Sequence, residues 1–101
     1  MEGNSWNVYK EDVVSVKVTA TGVTTTNNWF KDMIYFESVD VSAFDTSKVR
    51  YMNYMFYNCS SLTELDLSKC SIHAIYEMNS MFSGCTSLSE LIFAEETKLW
   101  I

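Results

Sequence analysis

Hydrophobic positions follow two alternating periods along this chain, and each pair of periods predicts a helical turn followed by a strand. The spacing i, i+3, i+4, i+7 is typical of one face of a short helix. Residues with this spacing are Met52, Met55, Phe56 and Cys59, and again Met78, Met81, Phe82 and Cys85. A strand with one buried face is predicted next, because Leu65 and Leu67 alternate with polar residues.

The pattern recurs at an interval of 26 residues. Residues 51–67 are YMNYMFYNCSSLTELDL, residues 77–93 are EMNSMFSGCTSLSELIF, and nine of these seventeen positions are identical. A weaker copy at residues 27–42 aligns Phe30 with Phe56 and Phe82. Self-similarity at roughly 20 to 50 residues is the signature of stacked repeats. We therefore expect the three phenylalanines to lie one above another in the core.

Two polar columns align at the same interval. Asn27, Asn53 and Asn79 form one column, and Asp32, Asn58 and Gly84 form the other. Asparagine side chains bond the backbone in turns, so the first column predicts an architectural ladder. Asp, Asn and Gly tolerate a left-handed backbone, so the second column predicts the cap at the end of each helical turn.

These patterns predict an α/β fold, a leucine-rich-repeat-like solenoid with a parallel strand ladder on one side and short helices on the other. The predicted single domain has an N-terminal cap and first strand at 1–22, repeats at 23–42, 43–68 and 69–93, and a C-terminal end at 94–101. The segment VVSVKVT at 13–19 alternates as a strand does, which places Val14, Val16 and Val18 inward. We expect Trp6 and Tyr9 to cover the end of the stack.

The stretch FDTSKVRYMNYMFYNCSSLTELDLS at 44–68 resembles the BspA-like leucine-rich repeats of bacterial surface proteins. The subgroup it resembles has the unit F-D-T-S-x-V-x-x-M-x-x-M-F-x-x-C-x-x-L-x-x-L-D-L-S. The third copy departs where FDTSKV becomes CSIHAI and LDLS becomes LIFA, and the first copy lacks the Cys and both Met. The resemblance covers about residues 23–93. It implies a secreted or surface-anchored bacterial protein that adheres to host proteins or other cells, without catalytic residues.

Composition narrows the function classes. The net charge is −6 and the seven Lys and Arg are scattered, which disfavours nucleic-acid binding. No apolar run approaches the roughly eighteen residues that a membrane span needs, so we expect no membrane insertion. The polar start suggests a segment excised from a larger surface protein, with its signal and anchor elsewhere. We predict an extracellular or cell-surface location.

The three cysteines predict apolar core positions rather than chemistry. Cys59 and Cys85 share a repeat position that holds Met33 in the first copy, so we expect buried thiols. A disulfide between stacked Cys59 and Cys85 is the alternative. Cys70-x-x-His73 lacks a second pair of ligands for a metal and an orienting partner for catalysis. We expect no enzyme activity, no cofactor and no metal.

Two surfaces are candidate binding sites. The outward strand positions Ser38, Asp40, Glu64, Asp66 and Glu90 form a candidate acidic face. Its alternatives are a solvated face that aids solubility, a cation site, or aspartates that bond neighbouring turns. Tyr51, Tyr54 and Tyr57 form a candidate aromatic stripe, exposed because the other copies have mostly polar residues at these positions. Its alternative is partial packing against neighbouring loops.

The sequence predicts a non-catalytic adhesion or protein-interaction domain. Its partner would be a protein or glycan on host or neighbouring cells. A structural spacer and a carbohydrate-binding module are the alternatives. Open ends of the stack would also permit self-association.

Overall fold

Four short strands make up the regular structure of this chain. The computed structural model describes residues 14–71 and 74–93. The strands are β1 (Ser15–Lys17), β2 (Ser38–Asp40), β3 (Glu64–Leu67) and β4 (Glu90–Phe93). β1 pairs with β2, and β3 pairs with β4, in two separate two-stranded parallel sheets. The described residues form no helix that is long and apolar enough to cross a membrane.

The predicted α/β solenoid with short helices is wrong. Turns occupy residues 27–32, 53–58 and 79–84, where helices were expected, and no helix occurs between residues 14 and 71 or between 74 and 93. The strands form two short sheets instead of one continuous ladder. The result is a small domain with a Cα radius of gyration of 12.5 Å, near the roughly 13 Å of a compact chain of this length.

Hydrogen bonds between repeats explain why no helix forms. Alternate amides of the first turn segment, those of Asn28, Phe30 and Asp32, donate to the carbonyls of Asn53, Met55 and Tyr57 at 3.0, 2.9 and 2.8 Å. In the second segment, the amides of Tyr54, Phe56 and Asn58 donate to the carbonyls of Asn79, Met81 and Ser83 at 2.9, 3.1 and 2.7 Å. An α-helix would need these amides for carbonyls four residues earlier in the chain. Every second amide is therefore committed to the next repeat.

A left-handed backbone also recurs every four residues in each turn segment. The φ angles are 65° at Asn28, 65° at Asp32, 59° at Tyr54, 63° at Asn58, 52° at Ser80 and 82° at Gly84. The predicted left-handed column at Asp32, Asn58 and Gly84 is confirmed. A second left-handed column, at Asn28, Tyr54 and Ser80, was not predicted. Left-handed residues at this spacing stop a helix after one turn.

The predicted vertical register is confirmed in the core. The ring centroids of Phe30 and Phe56 lie 5.5 Å apart, and those of Phe56 and Phe82 lie 6.1 Å apart, both stacked. In the second sheet, Glu64 pairs with Glu90 and Leu65 with Leu91, again 26 residues apart. Thr25, Tyr51 and Glu77 form further parallel bridges at the same interval. Residues 26 positions apart are thus direct neighbours.

The predicted N-terminal strand exists, but its inward face is only partly as expected. Val18 is buried and Val16 is half-buried, whereas Val14 is 46% exposed. Val14 lies just before β1, so the strand does not fix its side chain. Trp6, Tyr9, His73 and the C-terminal end 94–101 lie outside the described residues.

Candidate functional site

Four tyrosines of the second and third repeats lie beside two cations, and we call this group the tyrosine surface. It comprises Tyr51, Tyr54, Tyr57, Tyr76, Lys31 and Arg50. Tyr51, Tyr54 and Tyr76 are 38%, 39% and 72% exposed, and Tyr57 is half-buried. The rings of Tyr51 and Tyr76 meet edge to face at 5.9 Å, and those of Tyr54 and Tyr57 at 5.5 Å. Two ring pairs therefore present aromatic edges and faces to solvent.

Each cation lies over a tyrosine of the next repeat. The Lys31 ammonium is 5.7 Å from the ring centre of Tyr57 and 5.9 Å from that of Tyr54. The Arg50 guanidinium is 6.0 Å from the ring centre of Tyr76. Such contacts contribute about 0.5–1 kcal/mol at exposed sites. They hold the rings in place without burying them.

The backbone at Tyr54 is strained. Its φ of 59° lies in the left-handed region, which costs a residue with a Cβ roughly 1–2 kcal/mol. Its amide donates to the Asn79 carbonyl at 2.9 Å, so the surrounding hydrogen bonds fix this conformation. Asn28 and Ser80 occupy the same position in the other repeats and suit it better. A bulky aromatic residue kept at such a position points to a role outside the fold.

Sequence reasoning found only part of this surface. It identified Tyr51, Tyr54 and Tyr57 by comparing repeats, and the structure exposes the first two. It missed Lys31, Arg50 and Tyr76. These residues were recoverable from the sequence, because Lys31 and Tyr57 are 26 residues apart, as are Arg50 and Tyr76.

The predicted acidic residues do not form one continuous face. Ser38 and Asp40 belong to β2, which pairs with β1, whereas Glu64, Asp66 and Glu90 belong to the second sheet. Glu64 and Glu90 are partners in that sheet. A hydrogen bond between their carboxyls, with the repulsion of their charges, raises the pKa of Glu64.

The aspartates instead brace local turns. The carboxylates of Asp40 and Asp66 each accept a bond at 2.9 Å from the amide of the serine two residues later, and Asp45 accepts one at 3.0 Å. The hydroxyl and amide of that serine lower the pKa of each aspartate. This supports the structural alternative, although each aspartate bonds its own turn and not a neighbouring one.

The cysteines are thiols, and no disulfide joins Cys59 to Cys85. Cys59 and Cys70 are buried as predicted, whereas Cys85 is half-buried. The Sγ atoms of Cys59 and Cys85 donate to the carbonyls of Phe30 and Phe56, each at 3.1 Å. Burial raises the pKa of Cys70 and of Cys85, which keeps both protonated. Throughout the described part of the chain, no three His, Cys, Asp or Glu side chains could hold a metal ion.

Comparison with known proteins places the chain in a family. A family model described as "Mycoplasma protein of unknown function, DUF285" matches residues 3–98. The chain belongs to this family. No curated protein and no solved structure matches the chain. The DUF285 description states no activity, so the function must be argued from the chain's own residues.

Proposed function

We propose that this chain is a non-catalytic binding domain of a bacterial cell-surface protein. Its partner is a protein on host or neighbouring cells, which it contacts through the tyrosine surface. The observation that supports this most directly is the exposure of Tyr51, Tyr54 and Tyr76, since the first repeat has Thr25, Asn28 and Arg50 has Thr24 at the matching positions. The repeat architecture does not need these rings.

Side-chain chemistry favours a protein partner. Tyr and Arg are enriched among the residues that contribute most to protein–protein binding. A tyrosine ring offers a large contact area with few torsions to fix, and its hydroxyl can bond at the rim. Because cations already hold these rings, little ordering is left to occur on binding.

The acidic residues support a docking role less well. Asp40, Asp45 and Asp66 already accept hydrogen bonds within their own turns. Glu64 and Glu90 lie side by side and repel each other. Their charges fit solubility as well as recognition.

Binding of the purified chain to arrays of host-surface proteins and of glycans tests this proposal. The test variant combines Tyr51→Thr, Tyr54→Ser and Tyr76→Thr, replacements by residues that occur at the matching positions of other repeats. The control is Tyr35→Ser, because Tyr35 is 51% exposed but has none of the listed cation contacts. We expect protein binding that weakens at least about tenfold in the triple variant and persists in the control.

Two outcomes would contradict this proposal. Binding to glycans alone would favour the carbohydrate-binding alternative. Binding to neither array would favour a structural spacer. Circular dichroism of each variant would verify that the fold is retained.

A further inference from the structure

The third repeat ends in a row of backbone donors, which we call the third-repeat edge. In the first two repeats, alternate amides of the turn segment donate to carbonyls of the next repeat at 2.7–3.1 Å. The matching amides of the third repeat belong to Met78, Ser80, Phe82 and Gly84. These four amides donate to no acceptor among residues 14–71 and 74–93. The hydrogen-bonding pattern that joins the repeats therefore continues to this edge and stops there.

The asparagine ladder stops at the same edge. The Asn53 amide donates to Asn27 Oδ1, and the Asn79 amide donates to Asn53 Oδ1, each at 2.8 Å. Asn79 Oδ1 accepts no bond from any residue that the structure describes. A donor placed one repeat further on would therefore find an acceptor waiting.

The apolar columns open toward this edge as well. Members of the second repeat are buried, and their counterparts in the third repeat are only partly buried. The counterparts with this change are Met78, Phe82, Cys85, Leu88 and Leu91. One face of the Phe82 ring is stacked on Phe56. An apolar partner on the other side would complete its burial.

The opposite end of the stack is closed. Met33 and Phe36 of the first repeat are fully buried. The Asn27 amide has no asparagine below it and donates instead to Thr25 Oγ1 at 3.2 Å. A second copy of the chain therefore has no open acceptor end to offer. Two copies joined edge to edge would set donors against donors.

We propose that the third-repeat edge binds a polypeptide segment that carries the chain's own repeat pattern. Such a segment presents carbonyl groups at alternate residues, an asparagine amide for Asn79, and a phenylalanine to stack on Phe82. This argument extends the contact already made twice, between the first and second repeats and between the second and third. It does not depend on the tyrosine surface, because none of the four donor amides belongs to it.

Amide hydrogen exchange measured by NMR tests the proposal with a peptide of residues 51–68 as the probe. In the chain alone, the amides of Ser80, Phe82 and Gly84 should exchange fast, whereas those of Tyr54, Phe56 and Asn58 should be protected. Saturating peptide should slow exchange at the three edge amides by at least about tenfold. A control peptide with serine in place of Asn53, Met55 and Phe56 should give no protection.

The variant Asn79→Ala supplies a second readout. It removes an acceptor from the edge without breaking a hydrogen bond within the described residues, so stability should stay unchanged. Peptide binding should weaken about fivefold, as expected for one hydrogen bond. Edge amides that the peptide leaves unprotected would overturn the proposal. So would edge amides already protected in the chain alone, or protection that rises with the concentration of the chain itself.

Discussion

The backbone amide of Asn53 donates a hydrogen bond to the side-chain oxygen of Asn27, at 2.8 Å, across 26 residues of chain. Asn79 repeats the contact with Asn53 at the same distance. Stacked phenylalanines tolerate sliding, but a side-chain oxygen and an amide must meet within hydrogen-bonding distance. The asparagine ladder therefore fixes the register that the apolar columns alone would leave loose.

Replacing Asn27 tests that role. Asn27→Ala leaves the partly buried Asn53 amide without an acceptor, which should lower the free energy of unfolding by about 1–3 kcal/mol. Asn79→Ala is the matched control, because its side chain serves as acceptor to no described residue, and it should change stability by less than about 0.5 kcal/mol. Urea denaturation measures both. Equal losses in the two variants would contradict the ladder.

Two glycines with left-handed backbones should differ in their tolerance of alanine. Gly22 has a φ of 70° and open space around it, so Gly22→Ala should cost only the backbone term, about 1 kcal/mol. At Gly84 the φ is 82° and an added Cβ would lie 3.0 Å from the Asn58 Cα. Gly84→Ala should therefore cost about 2 kcal/mol or more. Thermal denaturation of both variants checks this, and equal costs would remove the close contact from the account.

Tyr54 should trade stability for binding. Tyr54→Asn puts a residue that tolerates the left-handed backbone at a φ of 59°, and should raise the free energy of unfolding by about 0.5–1 kcal/mol. Tyr57→Asn is the control, because Tyr57 is half-buried and has no positive φ, and it should destabilise the fold. Chemical denaturation measures both. A clear loss of stability in Tyr54→Asn would mean that ring packing outweighs the backbone strain.

Acidic residues on β3 should give opposite pH dependences. The pKa of Glu64 is raised above its usual 4.5, so its contribution is present below that pH and is lost as pH rises through the folded-state pKa. The stability of Glu64→Gln relative to the native chain should therefore increase between pH 4 and pH 7.

Asp66 serves as the counterpart. Its pKa is lowered below the usual 3.8, so its contribution is present at neutral pH and is lost as pH falls through the folded-state pKa. Asp66→Asn should be less stable than the native chain at neutral pH, with a gap that closes in acid. Urea denaturation across the pH range measures both variants, and slopes of the same sign would contradict these assignments.

The sequence predicted the register but not the local backbone. Phe30, Phe56 and Phe82 align because identical side chains at a fixed interval need a shared core. The helical turns were wrong because an i, i+3, i+4 spacing also arises from successive β-turns, which bring residues i and i+3 together. Tyr54 hid the second left-handed column, since tyrosine is not a residue that signals a positive φ.

The candidate site was predictable to a similar extent. Comparing repeats singled out Tyr51, Tyr54 and Tyr57 as aromatic residues that the repeat does not need. The cations were missed because Lys31 and Arg50 act on rings one repeat away. Only the vertical register shows such contacts, and the acidic face failed for the related reason that its residues divide between two sheets.

Scalar couplings across hydrogen bonds, measured by NMR between amide nitrogens and carbonyl carbons, test the central claim most directly. The account predicts couplings from the amides of Tyr54, Phe56 and Asn58 to the carbonyls of Asn79, Met81 and Ser83. Couplings from the same amides to carbonyls four residues earlier would show a helix. That result would contradict the stacking of residues 26 positions apart on which the proposed surfaces rest.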